Sequence, residues 1–431
     1  GTSTNIATST GVAVYNKDVE ILAGDPIKVG GVSDSTGNLY GLRVVGDYAY
    51  ALNDTITTMN IYDVSDQVNP VNISETALDE FGYDLEVAGN YAYTTNTGGN
   101  GLEIFDISSP VSPVQVSLVS TGDNVNAIKV RGKYAYIVSS DVGDKFVIFD
   151  ISDPVNPVRV SSAATGDNAF NIDISGNYAY IVSAATGDDL EIFDISDPTN
   201  PVKVGGTDVS ALAYDVQVVG SYAYVANAAI TDGIEVFDIS NPASPTKVGG
   251  ADVSSIAFEL DVYGNYLYVA SAATGDGLEI FDISSSTNPV KVGGVDVADT
   301  ANAVEVSGGY AYVVSSATGD DLEIFKLPTL TTPTAEIGNL LAGDIETSYL
   351  TVTQALKADS LNVNQNGMIG GALTITGTAS SSLIASNSNV ALTITSGFVQ
   401  IGTSTNATSG IQIGYGAICV DNDGACNAST T

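Results

Sequence analysis

The sequence contains no histidine and no tryptophan, and only two cysteines and two methionines among 431 residues. Without histidine, neither a Ser-His-Asp nor a Cys-His nucleophile can be assembled, and no imidazole can ligate zinc. Most hydrolase and zinc chemistry is excluded on that ground. An enzyme of this composition would have to act through carboxylates, tyrosines or lysines. Base is also scarce, with 13 Lys and Arg against 50 Asp and Glu, a formal net charge of −37. So negative a surface repels phosphate backbones and anionic lipid, and neither nucleic acid nor a membrane surface is an expected partner. No uncharged run is apolar enough to span a bilayer, because Ser, Thr, Asn and Gly interrupt each one. The chain opens on GTSTN with no basic and apolar leader, so the signal peptide of a secreted form would have been removed or would lie outside this sequence.

What is present is repetition. LEIFDIS is spelled identically at 102–108, 190–196 and 278–284, and breaks off as LEIFKLP at 322–328. Its aromatic recurs at Tyr62, Phe105, Phe149, Phe193, Phe237, Phe281 and Phe325, a step of 43 and then 44 residues. YAY, once YLY, keeps the same step from Tyr48 to Tyr310. Each copy divides into four short β-prone pieces; in the fifth these are YDVQVVG, YAYVAN, IEVFDIS and TKVGGADV. The first two are joined by Gly plus one residue (Gly46-Asp47 to Gly308-Gly309), which suits a two-residue type II′ hairpin. DPVNP-like turns precede the fourth piece, with proline at strand edges. Asp106, Asp150, Asp194, Asp238 and Asp282 end the third pieces, where they cap the turns. Four antiparallel strands repeated seven times at this period predict an all-β, seven-bladed β-propeller.

Three residues before each hairpin glycine stand Arg43, Glu86, Lys129, Asp173, Gln217, Asp261 and Glu305, all polar between mainly apolar neighbours. Period-2 alternation points this ring into a solvated central channel, with Asp84, Asn171, Asp215 and Glu259 next on the same face. The string DPIKVGGVSDS at 25–35 matches the outer-strand string NPVKVGGVDVA at 288–298, whereas the seventh copy has no good KVGG of its own. Ile27–Val32 is therefore expected to fill the outer place of the last blade and to close the ring.

The run LEIFDISDPTNPVKVGG resembles the LVIVD repeat, a propeller repeat of bacterial and archaeal surface and secreted proteins. The likeness covers about residues 26–327. It implies the propeller fold, and it implies no particular chemistry.

Three segments are expected: a β arm at 1–24, the propeller at 25–337, and a smaller β-rich domain, sandwich or solenoid, at 338–431. Ser360 to Val420 carries no charged residue and alternates β-prone pieces with Gly, Ser and Asn turns, resembling stalk regions of phage tail fibres and bacterial surface proteins. Cys419 and Cys426 enclose VDNDGA and read as a hairpin disulfide made in an oxidising compartment, or as two free thiols in a reducing one. GTSTNIATSTGVAVYN at the start is similar to GTSTNATSGIQIGYGA at 402–417, so one subunit could donate its N-terminal strand to the next.

Calcium is the one candidate cofactor. TGDD at 186–189 and 318–321 and TGDG at 274–277 carry Asp188, Asp189, Asp276, Asp320 and Asp321, while DNDG carries Asp421 and Asp423. Gly-Asp is equally good turn chemistry. Asn53, Asn72, Asn406 and Asn427 head glycan-acceptor triplets. The expected function is a non-enzymatic, extracellular structural protein of a prokaryote, at the cell surface or in a filament, assembling with copies of itself. The alternative is a surface-anchored adhesin or binding module that recognises glycan or protein through the propeller face.

Overall fold

The structure, a computed structural model, describes residues 25–327 apart from 34–36, 97–100, 122–123, 141–144, 167, 185–186, 274 and 317–319. The β arm, the uncharged segment, Cys419, Cys426, Asp421, Asp423, Asn406 and Asn427 lie outside the described residues. Among the described residues, 28 strands form seven four-stranded antiparallel sheets. Blade one runs Leu39–Val45, Tyr48–Asn53, Thr58–Asp63 and Val71–Ala77, each strand pairing with the one before it. Blades two to six repeat this order over 82–119, 125–163, 169–207, 213–251 and 257–295. Blade seven takes three strands from 301–326, and Ile27–Val32 pairs antiparallel with its third strand, Leu322–Lys326. The inner strands neighbour one another all the way round, that of blade seven lying beside that of blade one.

The recurrent spellings follow from the places they fill. The YAY strand sits between two partners and two neighbouring blades, and every residue after its first is buried. The aromatic of the third strand packs against the preceding blade: Phe193 lies with Phe146 at a ring-centroid distance of 5.3 Å, and Tyr62 packs with Tyr312 and Ile324 of blade seven. These rings are 0–2% exposed in all seven blades. A repeated aromatic is thus the seal between consecutive blades, which is why its spelling is kept.

The turns are built by local chemistry. Gly46, Gly89, Gly132, Gly176, Gly220 and Gly264 have φ between 57° and 63°, as the first residue of a type II′ turn requires. The seventh hairpin differs, because Gly308 and Gly309 both have positive φ (58° and 78°), the pattern of a type I′ turn. Asp106, Asp150, Asp194, Asp238 and Asp282 each accept the amide of the residue two positions on, at 2.8–2.9 Å. The hydrogen bonds hold Asp106, Asp150, Asp194 and Asp238 below the usual aspartate range, and the added Lys133 partner takes Asp150 down to about 2.

Gly205, in KVGG, serves a different need. A Cβ there would overlap the Pro242 carbonyl oxygen in the turn of the next blade. A Cβ at Gly220 would meet nothing, leaving only its left-handed backbone. Gly205→Ala is therefore expected to cost about 2–3 kcal/mol through a strained blade contact, and Gly220→Ala about 1 kcal/mol. Denaturant midpoints of the two variants check the order.

Candidate functional site

Candidate site residues come together at three places, and the first is the outer edge of blades two and four to seven. The Glu of LEIFD is buried: Glu191 and Glu279 are 0% exposed, Glu235 and Glu323 1%. Each faces a lysine of the KVGG strand: Lys203–Glu191 2.9 Å, Lys247–Glu235 3.1 Å, Lys291–Glu279 2.7 Å and Lys28–Glu323 2.6 Å. The same glutamates accept amides from the segment that leads into their own blade, including Ser254 N to Glu279 (2.9 Å) and Ala298 N to Glu323 (2.6 Å). In blade two Gln115 stands in the lysine's place, donating to Glu103 at 2.9 Å.

The aspartates of the TGDD and TGDG loops take part in the same arrangement. Asp188, Asp276 and Asp320 hold Lys203, Lys291 and Lys28 at 2.9–3.1 Å, so an ammonium group already sits where a cation was expected. Asp189 accepts Val209 N at 3.0 Å, and Asp321 is buried. Among the described residues, no three carboxylates converge in a geometry suited to a metal ion. Asn53 is fully buried and its Oδ1 accepts the amides of Thr55 and Ile56, which leaves it closed to a glycan.

The second place is the axis. Arg43 reaches Glu86 at 3.3 Å, Asp84 and Glu259 at 3.7 Å and Glu305 at 3.9 Å, contacting side chains from blades two, six and seven. Sequence placed these groups in a solvated channel, yet the five side chains are only 13–22% exposed. Aspartates also bond from blade to blade. Asp84 Oδ2 accepts Ile128 N (3.0 Å), Asp173 Oδ2 Val218 N (2.7 Å), Asp215 Oδ2 Leu260 N (2.7 Å) and Asp261 Oδ2 Val306 N (2.6 Å). The other oxygen of each accepts the next amide of its own strand. An inner strand is a sheet edge with free amides, and these carboxylates satisfy them. Gln217 occupies the same register position in blade five.

Seven axial carboxylates therefore face two cations, Arg43 and Lys129. Burial alone would lower the Lys129 pKa, but the Glu86, Asp173 and Asp84 charges outweigh it and raise it. Burial raises Asp84, Asp215, Glu259, Asp261 and Glu305, taking Asp215 to about 6 and Glu305 to about 7. A carboxyl whose folded pKa exceeds its unfolded value binds its proton more tightly when folded. Its stabilising effect is full below the unfolded pKa and is lost as pH rises through the folded one. The propeller is thus expected to lose thermal stability between about pH 4.5 and pH 7. Glu305→Gln is expected to flatten that slope, which a pair of melting-temperature profiles against pH would show.

The third place is the mouth where the inner strands begin. Six residues before the hairpin glycine stand Tyr40, Tyr83, Asn126, Phe170, Tyr214, Phe258 and Asn302. Phe170, Tyr214 and Phe258 follow one another in a tilted, edge-on run with centroids 6.1 and 5.6 Å apart. Asn126 and Asn302 instead donate to the Ala169 and Leu39 carbonyls of the next blade. Between blades one and two, Tyr40, Asp54, Thr55, Phe81, Gly82 and Tyr83 line a recess of about 420 Å³. Phe81 and Tyr83 are about half exposed there, at 48% and 49%. Burial, then the Asp54 charge, raises the Tyr40 phenol.

Sequence reading passed over Asp54 and Phe81 because they are not part of the repeat. The backbone bond Asp54 N to Asn38 O recurs as Ser140–Asn124, Ala184–Asn168, Ala228–Leu212, Ala272–Ile256 and Ser316–Thr300. Asp54 thus replaces small residues. By the same alignment Phe81 replaces Asn, Leu, Ile or Thr. Departure from the repeat was the signal available.

A family model described as the LVIVD repeat matches residues 82–121, 122–165, 166–209, 212–253, 255–297 and 298–319. No curated protein matches the chain. Among solved structures, the WD40 β-propeller domain of Doa1 is similar with a TM-score of 0.55 at 11% identity, over 70% of this chain and 96% of that one. The computationally designed Ika8 protein gives 0.53 at 8% identity, over 70% and 99%. A functionally unknown protein from Desulfotomaculum acetoxidans gives 0.50 at 15% identity, over 61% and 90%. Identities this low bear on the fold alone.

Proposed function

Because the chain belongs to the LVIVD-repeat family, which its sequence matches over more than half its length, we propose that it is a non-catalytic binding module displayed outside a prokaryotic cell. In this reading the propeller is a rigid ring and recognition lies at the mouth between blades one and two. One observation carries it. The repeated polar groups are spent on bonds within and between blades, whereas Asp54 and Phe81 depart from the repeat and meet in one recess. A net charge of −37 suits a soluble, displayed protein and a ligand that is not anionic. The N-terminal strand Ile27–Val32 acts as the clasp that closes the ring. Screening the full chain against immobilised glycans and extracellular proteins tests the reading. Retained hits are expected to be lost in Phe81→Asn/Tyr83→Asn, and hits indifferent to both changes would move the site elsewhere.

A second reading, head-to-tail assembly by donation of the 1–24 arm, draws on the shared GTSTN spelling at 1–5 and 402–406. Sedimentation velocity tests it. Filaments that disappear on deletion of 1–22 support it, and a monomer in both forms ends it.

A further inference from the structure

The recess between blades one and two also has a definite chemical character. Three aromatic side chains, Tyr40, Phe81 and Tyr83, and the Asp54 carboxylate line it, and no basic side chain does. Aromatic faces carry partial negative charge and attract a cation lying within about 6 Å of the ring centroid. Asp54 is held in place, with Asn38 Nδ2 donating to its Oδ2 (3.5 Å) and Thr55 Oγ1 to its Oδ1 (2.9 Å). Tyr40 is anchored through Ser316 of blade seven. On the axis, carboxylates from blades two, six and seven converge on Arg43, so that cation is already engaged. The field at the mouth is therefore one that concentrates cations.

The kind of cation follows from the count of acceptors. A primary ammonium brings three N–H donors, each of which needs an acceptor once desolvated. The recess offers Asp54, whose oxygens are partly engaged, the Thr55 hydroxyl, itself bonded to Asp54, and two phenols, of which that of Tyr40 is engaged with Ser316. A quaternary ammonium has no N–H to satisfy and sheds its water readily. Inorganic cations would need several oxygen ligands, which these residues do not converge to supply.

We infer that this recess binds a quaternary ammonium group, with Tyr40, Phe81 and Tyr83 as the ring faces and Asp54 as the counter-charge. The inference rests on the reading of the propeller as a binding module and names the ligand class for that site.

Calorimetric titration of the full chain with choline, and with its neutral isostere 3,3-dimethylbutan-1-ol, tests it. Choline is expected to bind saturably, and the isostere at least about tenfold more weakly. Tyr83→Ala and Asp54→Asn are each expected to weaken choline by about fivefold or more at unchanged melting temperature. Equal binding of the two compounds would make the recess merely apolar and overturn the inference, as would binding indifferent to both variants. If choline fails while a screened glycan or protein is captured and lost in Tyr83→Ala, the ammonium assignment falls and the binding-module reading stands. If nothing binds at all, both fall.

Discussion

Deleting residues 25–33 is expected to abolish the cooperative unfolding transition of the propeller. The strand Ile27–Val32 supplies the fourth strand of blade seven, and its loss exposes the edge of Leu322–Lys326. It also removes Val29 and Val32, which pack against the cluster shared by blades seven and one. Lys28 goes with it, leaving Glu323, whose side chain is 2% exposed, without its 2.6 Å partner. Stranding one charge of a buried pair costs about 3–5 kcal/mol. The lost ladder bonds add roughly 1 kcal/mol each, and the lost apolar burial adds to that. The total approaches or exceeds the roughly 5–15 kcal/mol by which a domain is stable. A chain beginning at residue 25 is the control and should keep the transition. If the 25–33 deletion melts within a few degrees of the intact chain, the clasp is dispensable and the ring is closed by inter-blade packing alone.

Arg43→Met is expected to be the most damaging single substitution at the axis, and its effect should depend on pH. Burial tends to lower the Arg43 pKa, and the Glu86, Asp84, Glu305 and Glu259 charges raise it far beyond that. The guanidinium is thus held by four carboxylates that have little water of their own. Removing it leaves them facing one another, and a loss of about 3–5 kcal/mol is expected at pH 8. The carboxyls would respond by holding protons to still higher pH. Stability that depends on a raised carboxyl pKa is present at low pH and declines as pH rises. At pH 5 the variant should therefore recover much of its loss. Denaturant titrations at pH 5 and pH 8 read this directly, and equal losses at both would mean that Arg43 acts by packing.

The period, the four-strand unit and the polar inner ring were legible because each follows from spacing along the chain. So was the pairing of Ile27–Val32 with the last blade, since it needed only the match of DPIKVGGVSDS to NPVKVGGVDVA. The lysine partners of the Gly-Asp loops were not legible, for a physical reason. Lys203 lies 15 residues from Asp188, and they meet only because the third and fourth strands pair with a register shift between Ile192 and Phe193. No spacing rule contains that bulge. The same shift brings Lys203 onto Glu191, so the buried Glu of LEIFD had no visible partner in sequence. The recess was hidden for another reason. Residues 40, 54, 81 and 83 come from two blades and meet only across their interface. LEIFDIS and KVGG describe how blades are held, and Asp54 and Phe81, which break the pattern, line the recess to which recognition is assigned in the proposal.

That division is tested most directly by returning blade-specific residues to the repeat. Asp54→Ser/Phe81→Asn copies the residues that stand at those places in blade three. The measurement is the melting temperature with and without saturating choline. The account predicts an unchanged melting temperature without choline and the disappearance of the rise that choline gives the parent. A lower melting temperature with the choline-induced rise intact would contradict it, because those residues would then hold the ring and bind nothing.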